Sequence, residues 1–110
     1  MKDNFYENEV DSREQYFTIF CEGQTYHTAI SDVYYIVRKR NWAVYHFREK
    51  ILHAAAVEDM LKEQLCRGNF VRIGPSCHVN PQWIVREEKS CVILENGEKL
   101  EAKQTLYDDF

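Results

Sequence analysis

The chain has 110 residues, of which 14 are Lys or Arg and 18 are Asp or Glu, so its formal net charge at pH 7 is −4. With 45% hydrophobic and 14% aromatic residues, it can bury the core of one domain and is too apolar to be disordered throughout. No apolar run approaches the roughly 18 residues of a membrane span, and no signal-peptide segment opens the chain. We therefore predict a cytoplasmic protein without membrane insertion.

The charge is unevenly distributed along the chain. Residues 1–15 hold two basic and five acidic side chains, and residues 95–110 hold the same numbers. The remaining segment, 16–94, has 10 basic and 8 acidic side chains, a net charge of +2. A weakly basic centre can bind DNA locally, but the field of the whole chain does not attract DNA. We predict a polar, acidic N-terminal tail over residues 1–14 and one domain over residues 15–110.

Aromatic and β-branched residues dominate most segments after the tail, which favours strands and a mainly β fold. The last two predicted strands are joined by Asn96-Gly97, a dipeptide typical of a type I′ turn, so residues 99–102 should return antiparallel to residues 91–94. The predicted strands are 16–21, 25–30, 33–37, 42–47, 51–53, 70–73, 77–80, 83–87, 91–94 and 99–102.

One segment has helical periodicity instead. Its apolar residues recur at i, i+3, i+4 and i+8 with charged residues between them, which predicts one principal amphipathic helix over residues 55–66. Gly68 is placed to end this helix in the left-handed conformation. We expect the helix to lay Val57, Leu61 and Leu65 across the sheet. Leu61 and Leu65 should share a single core with Val44, Phe70, Ile73, Val79, Trp83 and Ile84.

Neither catalysis nor a metal or cofactor site is predicted. Ser76 lies in G-P-S-C-H, which lacks the second glycine of a nucleophile elbow. Cys77 and His78 are adjacent, so on a strand they point to opposite faces and form no nucleophile–base pair. No Cys or His spacing matches a zinc site. The four cysteines are predicted to be reduced, buried thiols: Cys21, Cys66, Cys77 and Cys91.

A basic segment between two predicted strands is a candidate nucleic-acid contact. Arg38, Lys39 and Arg40 carry three positive charges and are followed by Asn41. A basic turn can reach phosphates, and an asparagine amide can bind the edge of an adenine base. The alternative is a solvated turn that binds no ligand.

Six segments between about residues 24 and 106 follow one another in a distinctive order. They are I-S-D-V-Y-Y-I, W-A-V-Y-H-F, Ala56–Leu65, N-F-V-R-I, H-V-N-P-Q-W-I and V-I-L-E-N-G-E-K-L-E-A. In this order they resemble the LytTR family of bacterial DNA-binding domains. The resemblance implies an elongated, mainly β domain of small antiparallel sheets, whose loops enter successive major grooves of double-stranded DNA in a transcription regulator. Fewer than thirty residues precede the resemblance, so we expect a stand-alone regulator without a receiver domain.

The resemblance places DNA contacts in three loops. The first corresponds to Arg38–Asn41, where basic and polar character is retained. In the second, the family usually has a histidine and a polar or basic residue where Gly74 and Pro75 stand here, and only Ser76 agrees with the pattern. The third loop corresponds to Lys103, Gln104 and Thr105, of which Lys103 alone adds charge.

The departures from the family pattern leave two functions open. The first is a sequence-dependent transcription regulator that binds DNA. The second is a LytTR-derived protein-interaction module that has lost specific DNA reading at Gly74 and Pro75. A regulatory protein partner and a homodimer on DNA also stay open. Asn80 matches the family asparagine, and its side chain either contacts DNA or bonds the backbone in the turn before Pro81.

Overall fold

The computed structural model describes residues 16–101. Within this range the chain forms ten strands, one α-helix and two short 3-10 turns, which confirms the predicted mainly β fold. Each predicted strand is present, with its ends shifted by at most two residues. The strands are β1 (Tyr16–Cys21), β2 (Gln24–Ala29), β3 (Val33–Lys39), β4 (Trp42–Phe47), β5 (Ile51–Ala55), β6 (Val71–Ile73), β7 (Cys77–Val79), β8 (Ile84–Glu88), β9 (Cys91–Leu94) and β10 (Lys99–Glu101); the helix is α1 (Glu58–Arg67), and the 3-10 turns are Ile30–Asp32 and Pro81–Trp83.

The strands form three small antiparallel sheets. The central sheet has five strands in the order β5-β4-β3-β7-β6, and it is flanked by the hairpin β1-β2 and by the three-stranded sheet β10-β9-β8. Strand β3 lies in the middle of the central sheet, where Val37 is paired with Val44 of β4 and with Cys77 of β7. Because β7 pairs with β3, this sheet joins the strands that precede the helix in sequence to those that follow it.

The central sheet has a buried core on each of its faces, so the expected single core is in fact two. We call one side the helix face, where Phe17 of β1 and Leu61 of α1 pack on Ile36. We call the other side the hairpin face, where Leu94 and other residues of β9 and β10 are buried. The prediction of one shared core was wrong because successive strand residues point to opposite faces. Leu61, Leu65 and Phe70 belong to the helix face, whereas Val44, Val79, Ile73, Trp83 and Ile84 belong to the hairpin face.

The helix is present but begins three residues later than predicted. Ala55 is still the last residue of β5 and is paired with Trp42. Val57 is extended, with φ −113°, and half of its surface is exposed. Its predicted place on the buried face was therefore wrong. The residue that completes this face is Gln64, which is 3% exposed and donates to the carbonyl oxygen of Thr18 at 3.1 Å.

Two glycines have roles that differ from the predicted ones. Gly68 is right-handed, with φ −88°, and the left-handed residue after the helix is Asn69, with φ 56°. A Cβ atom on Gly68 would collide with the ring of Phe70, so close packing requires the glycine. The predicted hairpin at Asn96-Gly97 is confirmed. Its turn is not type I′, because Gly97 has φ 92° while Asn96 is not left-handed.

The four cysteines are free thiols, and three of them are buried. Cys66 is exposed, so the prediction of four buried thiols was wrong for this residue. Cys66 lies on the outer side of α1, away from Leu61, where solvent reaches the helix. No helix within residues 16–101 is both long and apolar enough to cross a membrane.

Candidate nucleic-acid interface

Two turns of the central sheet lie side by side at one end of it. The β3–β4 turn consists of Arg40 and Asn41, and the β6–β7 turn spans residues 74–76. The backbone N–H of Arg38 donates to the carbonyl oxygen of Ser76 at 2.8 Å, which ties the two turns together. We call residues 38–42 and 72–76 the turn end. The structure therefore brings together the first two of the three predicted contact loops.

The start of the helix also lies at the turn end. The backbone N–H of Ala56 donates to the carbonyl oxygen of Asn41 at 2.7 Å. This bond places the β5–α1 connection beside the basic turn, and Glu58 follows it as the first helical residue. An acidic side chain thus lies next to the predicted cationic contacts.

Arg38 lies on the helix face and is paired with that acid. Its Nη1 donates to Oε2 of Glu58 at 2.6 Å, and its Nε donates to the carbonyl oxygen of Arg40 at 2.9 Å. The hydrogen bond from Arg38, followed by its positive charge, lowers the pKa of Glu58 below its ordinary value. Of the predicted cations, Arg38 is therefore already compensated by a carboxylate of the same chain.

Lys39 and Trp42 lie on the hairpin face of the turn end, directly opposite each other on β3 and β4. Trp42 is 52% exposed, so its ring is available to a ligand at this end of the sheet. Trp42 directly follows the basic segment in the sequence, but nothing in the sequence pattern predicts a role for it. Arg40, with φ 55°, and Asn41 are both exposed at the tip of the same turn.

The second turn has fewer surface donors than predicted. Gly74 and Pro75 are half-buried, and Ser76 is only 1% exposed. The structure corrects the predicted role of Ser76, because a side chain inside the protein does not present its hydroxyl to a phosphate. Within the described part of the chain, Ser76 is a packing residue that supports the turn.

Arg72 is a surface cation at the turn end that the sequence analysis missed. It is exposed on the edge strand β6, and its side chain reaches the β6–β7 turn. In the sequence it was treated only as part of the strand N-F-V-R-I. Burial, and then the positive charge of Arg72, lower the pKa of the neighbouring His78 below its ordinary value.

The third predicted loop, Lys103, Gln104 and Thr105, lies outside the described residues. The last described strand, β10, ends at Glu101. Glu101 lines a groove of about 310 Å³ on the hairpin face, and Lys39 lines the same groove.

Asn80 has the structural role that the sequence analysis offered as an alternative. It is 2% exposed, and its Nδ2 donates to the carbonyl oxygens of Ile30 at 3.1 Å and Val33 at 3.0 Å. Its Oδ1 accepts the backbone N–H of Gln82 at 3.1 Å, inside the turn that begins at Pro81. These bonds use both amide hydrogens and one acceptor site of Oδ1, so Asn80 ties residues 30–33 to the turn at residues 80–82.

Comparison with known proteins identifies the fold. No protein-family model matches the chain, and no curated protein matches it. Among solved structures, it is similar to the LytTr DNA-binding domain of a protein described as a methyl-accepting/DNA response regulator from Bacillus cereus, with a TM-score of 0.62 and 18% sequence identity. The match covers 84% of this chain and 92% of that chain. The LytTR-like fold expected from the sequence is confirmed.

Proposed function

We propose that this domain binds double-stranded DNA through the turn end and acts in the cytoplasm as a transcription regulator of the LytTR type. The observation that carries the proposal is the pairing of two turns on one rigid sheet end, where Lys39, Arg40 and Arg72 are exposed. The solved structure that shares the fold is named a DNA-binding domain. Positive side chains at the tips of adjacent turns suit contact with phosphates.

The dimensions of the turn end suit a DNA groove. Neighbouring strands lie about 4.8 Å apart, and a two-stranded tip fits a major groove about 12 Å wide. With Arg40 and Asn41 at its tip, the β3–β4 turn would place a cation near phosphates and an amide near base edges. An asparagine amide makes two hydrogen bonds to adenine, so Asn41 is the residue that we expect to read sequence.

Gly74 and Pro75 have no side-chain donor, so neither can form a side-chain hydrogen bond to a base edge. We therefore propose that phosphate contacts dominate the affinity, with a steep dependence on salt and a modest preference for sequence. Lys39 and Arg40 would supply most of this affinity, and Arg38 would add to it where DNA replaces Glu58 as its partner. Lys103 would add to it, with Gln104 and Thr105 beside it in the third loop.

Fluorescence anisotropy across a salt series tests the proposal. The wild-type chain should bind random and candidate-promoter duplexes, with affinity falling steeply as salt rises. Replacing Arg38 and Arg40 by alanine should weaken binding to all duplexes about equally, and lower the log–log salt slope by roughly two. Arg48→Ala is the matched control, since Arg48 follows β4 at the other end of the sheet.

The second function, a protein-interaction module, is favoured by one observation. Trp42 and Ile51 are each about half exposed, and both lie on the hairpin face of the sheet. Exposed large apolar side chains of this kind are enriched at protein interfaces. If the wild-type chain binds neither duplex at low salt, this second function replaces the first. Tight, base-selective binding that survives the arginine substitutions would instead place the DNA contacts on other loops.

A further inference from the structure

Arg72 and Arg38 project from the same face of the central sheet. Arg72 is paired across the ladder with His78, and His78 is paired with Ile36. Ile36 lies two residues before Arg38 on β3, and residues two apart on a strand share a face. The two arginines therefore lie on the helix face of the turn end, on strands separated only by β7.

The guanidinium of Arg72 is held by the second turn. Its Nε donates to the carbonyl oxygen of Gly74 and its Nη2 donates to that of Pro75, both at 2.9 Å. These are the two residues that offer no side-chain donor to DNA. Two backbone carbonyl groups of the second turn therefore hold the guanidinium of Arg72, which comes from β6.

The remaining donors of Arg72 are unused by the described residues. A guanidinium has five N–H groups, and these two bonds leave three of them on Nη1 and Nη2. No carboxylate within residues 16–101 forms an ion pair with Arg72. Arg38 differs, because Glu58 already compensates it at 2.6 Å.

A guanidinium held in this way suits recognition of two acceptors at once. Its terminal nitrogens match the spacing of two phosphate oxygens, or of O6 and N7 of guanine. Since the side chain is already ordered by the turn, it loses less conformational entropy when it binds than a free arginine does.

We infer that Arg72 makes the DNA contact of the second turn, in place of the donors that Gly74 and Pro75 lack. This inference rests on the proposed function. Arg72 would bind a pair of hydrogen-bond acceptors on DNA, either two phosphate oxygens or the O6 and N7 edge of guanine.

Two duplexes distinguish the sources of these acceptors. One has mixed sequence, and the other contains only alternating A·T pairs and so has no guanine. Arg72→Ala should weaken binding to the mixed duplex roughly tenfold. If the acceptors are phosphate oxygens, the A·T duplex weakens as well and the salt slope falls by roughly one; if they belong to guanine, the A·T duplex is unaffected. Arg48→Ala should leave both affinities unchanged.

Arg72→Lys separates DNA contact from support of the turn. It keeps the positive charge but loses the fork that holds the two carbonyl oxygens, so a DNA-contacting Arg72 predicts an intermediate loss of affinity. Chemical denaturation of each variant reports whether the fold persists under the binding conditions. Should Arg72→Ala unfold the domain, a folded Arg72→Lys with reduced affinity carries the inference.

The inference and the proposed function fail in different ways. If the wild type binds DNA and folded Arg72 variants bind both duplexes equally well, Arg72 only supports the turn and the inference is overturned. If the wild type binds neither duplex, the proposed function falls, and the inference with it.

Discussion

The two faces of the central sheet are closed by different means. On the helix face, α1 and β1 cover the sheet, and the buried hydroxyl of Tyr45 donates to Oε1 of Gln64 at 2.6 Å. On the hairpin face, β9 and β10 cover only part of the sheet. There the phenols of Tyr34 and Tyr35 donate to Glu95 at 2.9 Å and to Glu98 at 2.6 Å.

The two faces therefore contribute differently to the stability of the domain. The helix face uses apolar packing and a neutral hydrogen bond that water does not reach. The hairpin face uses the exposed residues Glu95 and Glu98, and Glu98 lines a groove of about 310 Å³. Because solvent screens and competes with exposed polar contacts, truncating a helix-face side chain should cost more stability than removing a polar contact of the hairpin face.

The largest expected effect comes from Leu61→Ala on the helix face. Leu61 is 5% exposed, and a large-to-small change in a packed core costs about 2–5 kcal/mol. Val57→Ala is the matched control, because Val57 is exposed just before the same helix, and should change stability by less than about 0.5 kcal/mol. Urea denaturation measures both. Equal losses in the two variants would mean that the buried side of α1 is assigned wrongly.

Alkaline pH should weaken the protein through the buried phenols. Burial raises the pKa of Tyr45 to about 12, and burial followed by the bond to Glu98 raises the pKa of Tyr35 as well. Folding favours the neutral phenol, so this stability is fully present below the ordinary pKa near 10 and is lost as pH rises through 12. Ionisation of Tyr45 alone should lower the free energy of unfolding by about 2–3 kcal/mol.

Unfolding free energies measured from pH 9 to 12 test this titration. Tyr45→Phe and Tyr35→Phe should each flatten part of the alkaline decline in the free energy of unfolding, because each removes one buried phenol. A decline of unchanged steepness in both variants would assign the titration to other groups.

Gln64→Leu probes the neutral hydrogen bond of the helix face. It would leave the hydroxyl of Tyr45 buried without its acceptor, which costs about 1–3 kcal/mol. Adding Tyr45→Phe should recover part of that loss, since removing both partners of a buried bond is far less costly than removing one. A double-mutant cycle in urea gives the coupling energy. Additive losses would show that the two side chains do not stabilise each other.

The smallest expected effect concerns Glu58 at the turn end. Glu58→Gln removes the carboxylate that competes with DNA for Arg38, and should tighten binding roughly two- to fivefold at low salt. Glu63→Gln is the matched control, because Glu63 pairs with Arg67 further along the same helix, at 3.4 Å. Anisotropy at two salt concentrations is sufficient. Equal affinities for the two variants would mean that Arg38 does not contact DNA.

Much of the fold followed from local patterns in the sequence. The aromatic and β-branched runs predicted the strands, and the turn between β9 and β10 was located from Asn96-Gly97. The helix was predicted from the spacing of residues such as Leu61 and Leu65, although its first turn was placed too early. These features depend on residues close in sequence, whose side-chain periodicity and turn preferences act before any long-range contact forms.

The tertiary structure decided which residues meet. Gln64 of α1 is buried only because Tyr45 of β4 and Thr18 of β1 supply its partners. Ser76 is inside because the turn that it closes packs against Arg38 of β3. Such pairings join residues far apart in the chain, and a polar side chain carries no local sign that distant partners will satisfy it.

The candidate site divides in the same way. The basic turn Arg38–Asn41 and the absence of side-chain donors at Gly74 and Pro75 follow from the sequence alone. Only the tertiary structure placed Glu58 against Arg38 and the guanidinium of Arg72 over the second turn. Composition determines which charges a chain has, whereas the pairing of strands and helix decides which of those charges are compensated and which remain available to a ligand.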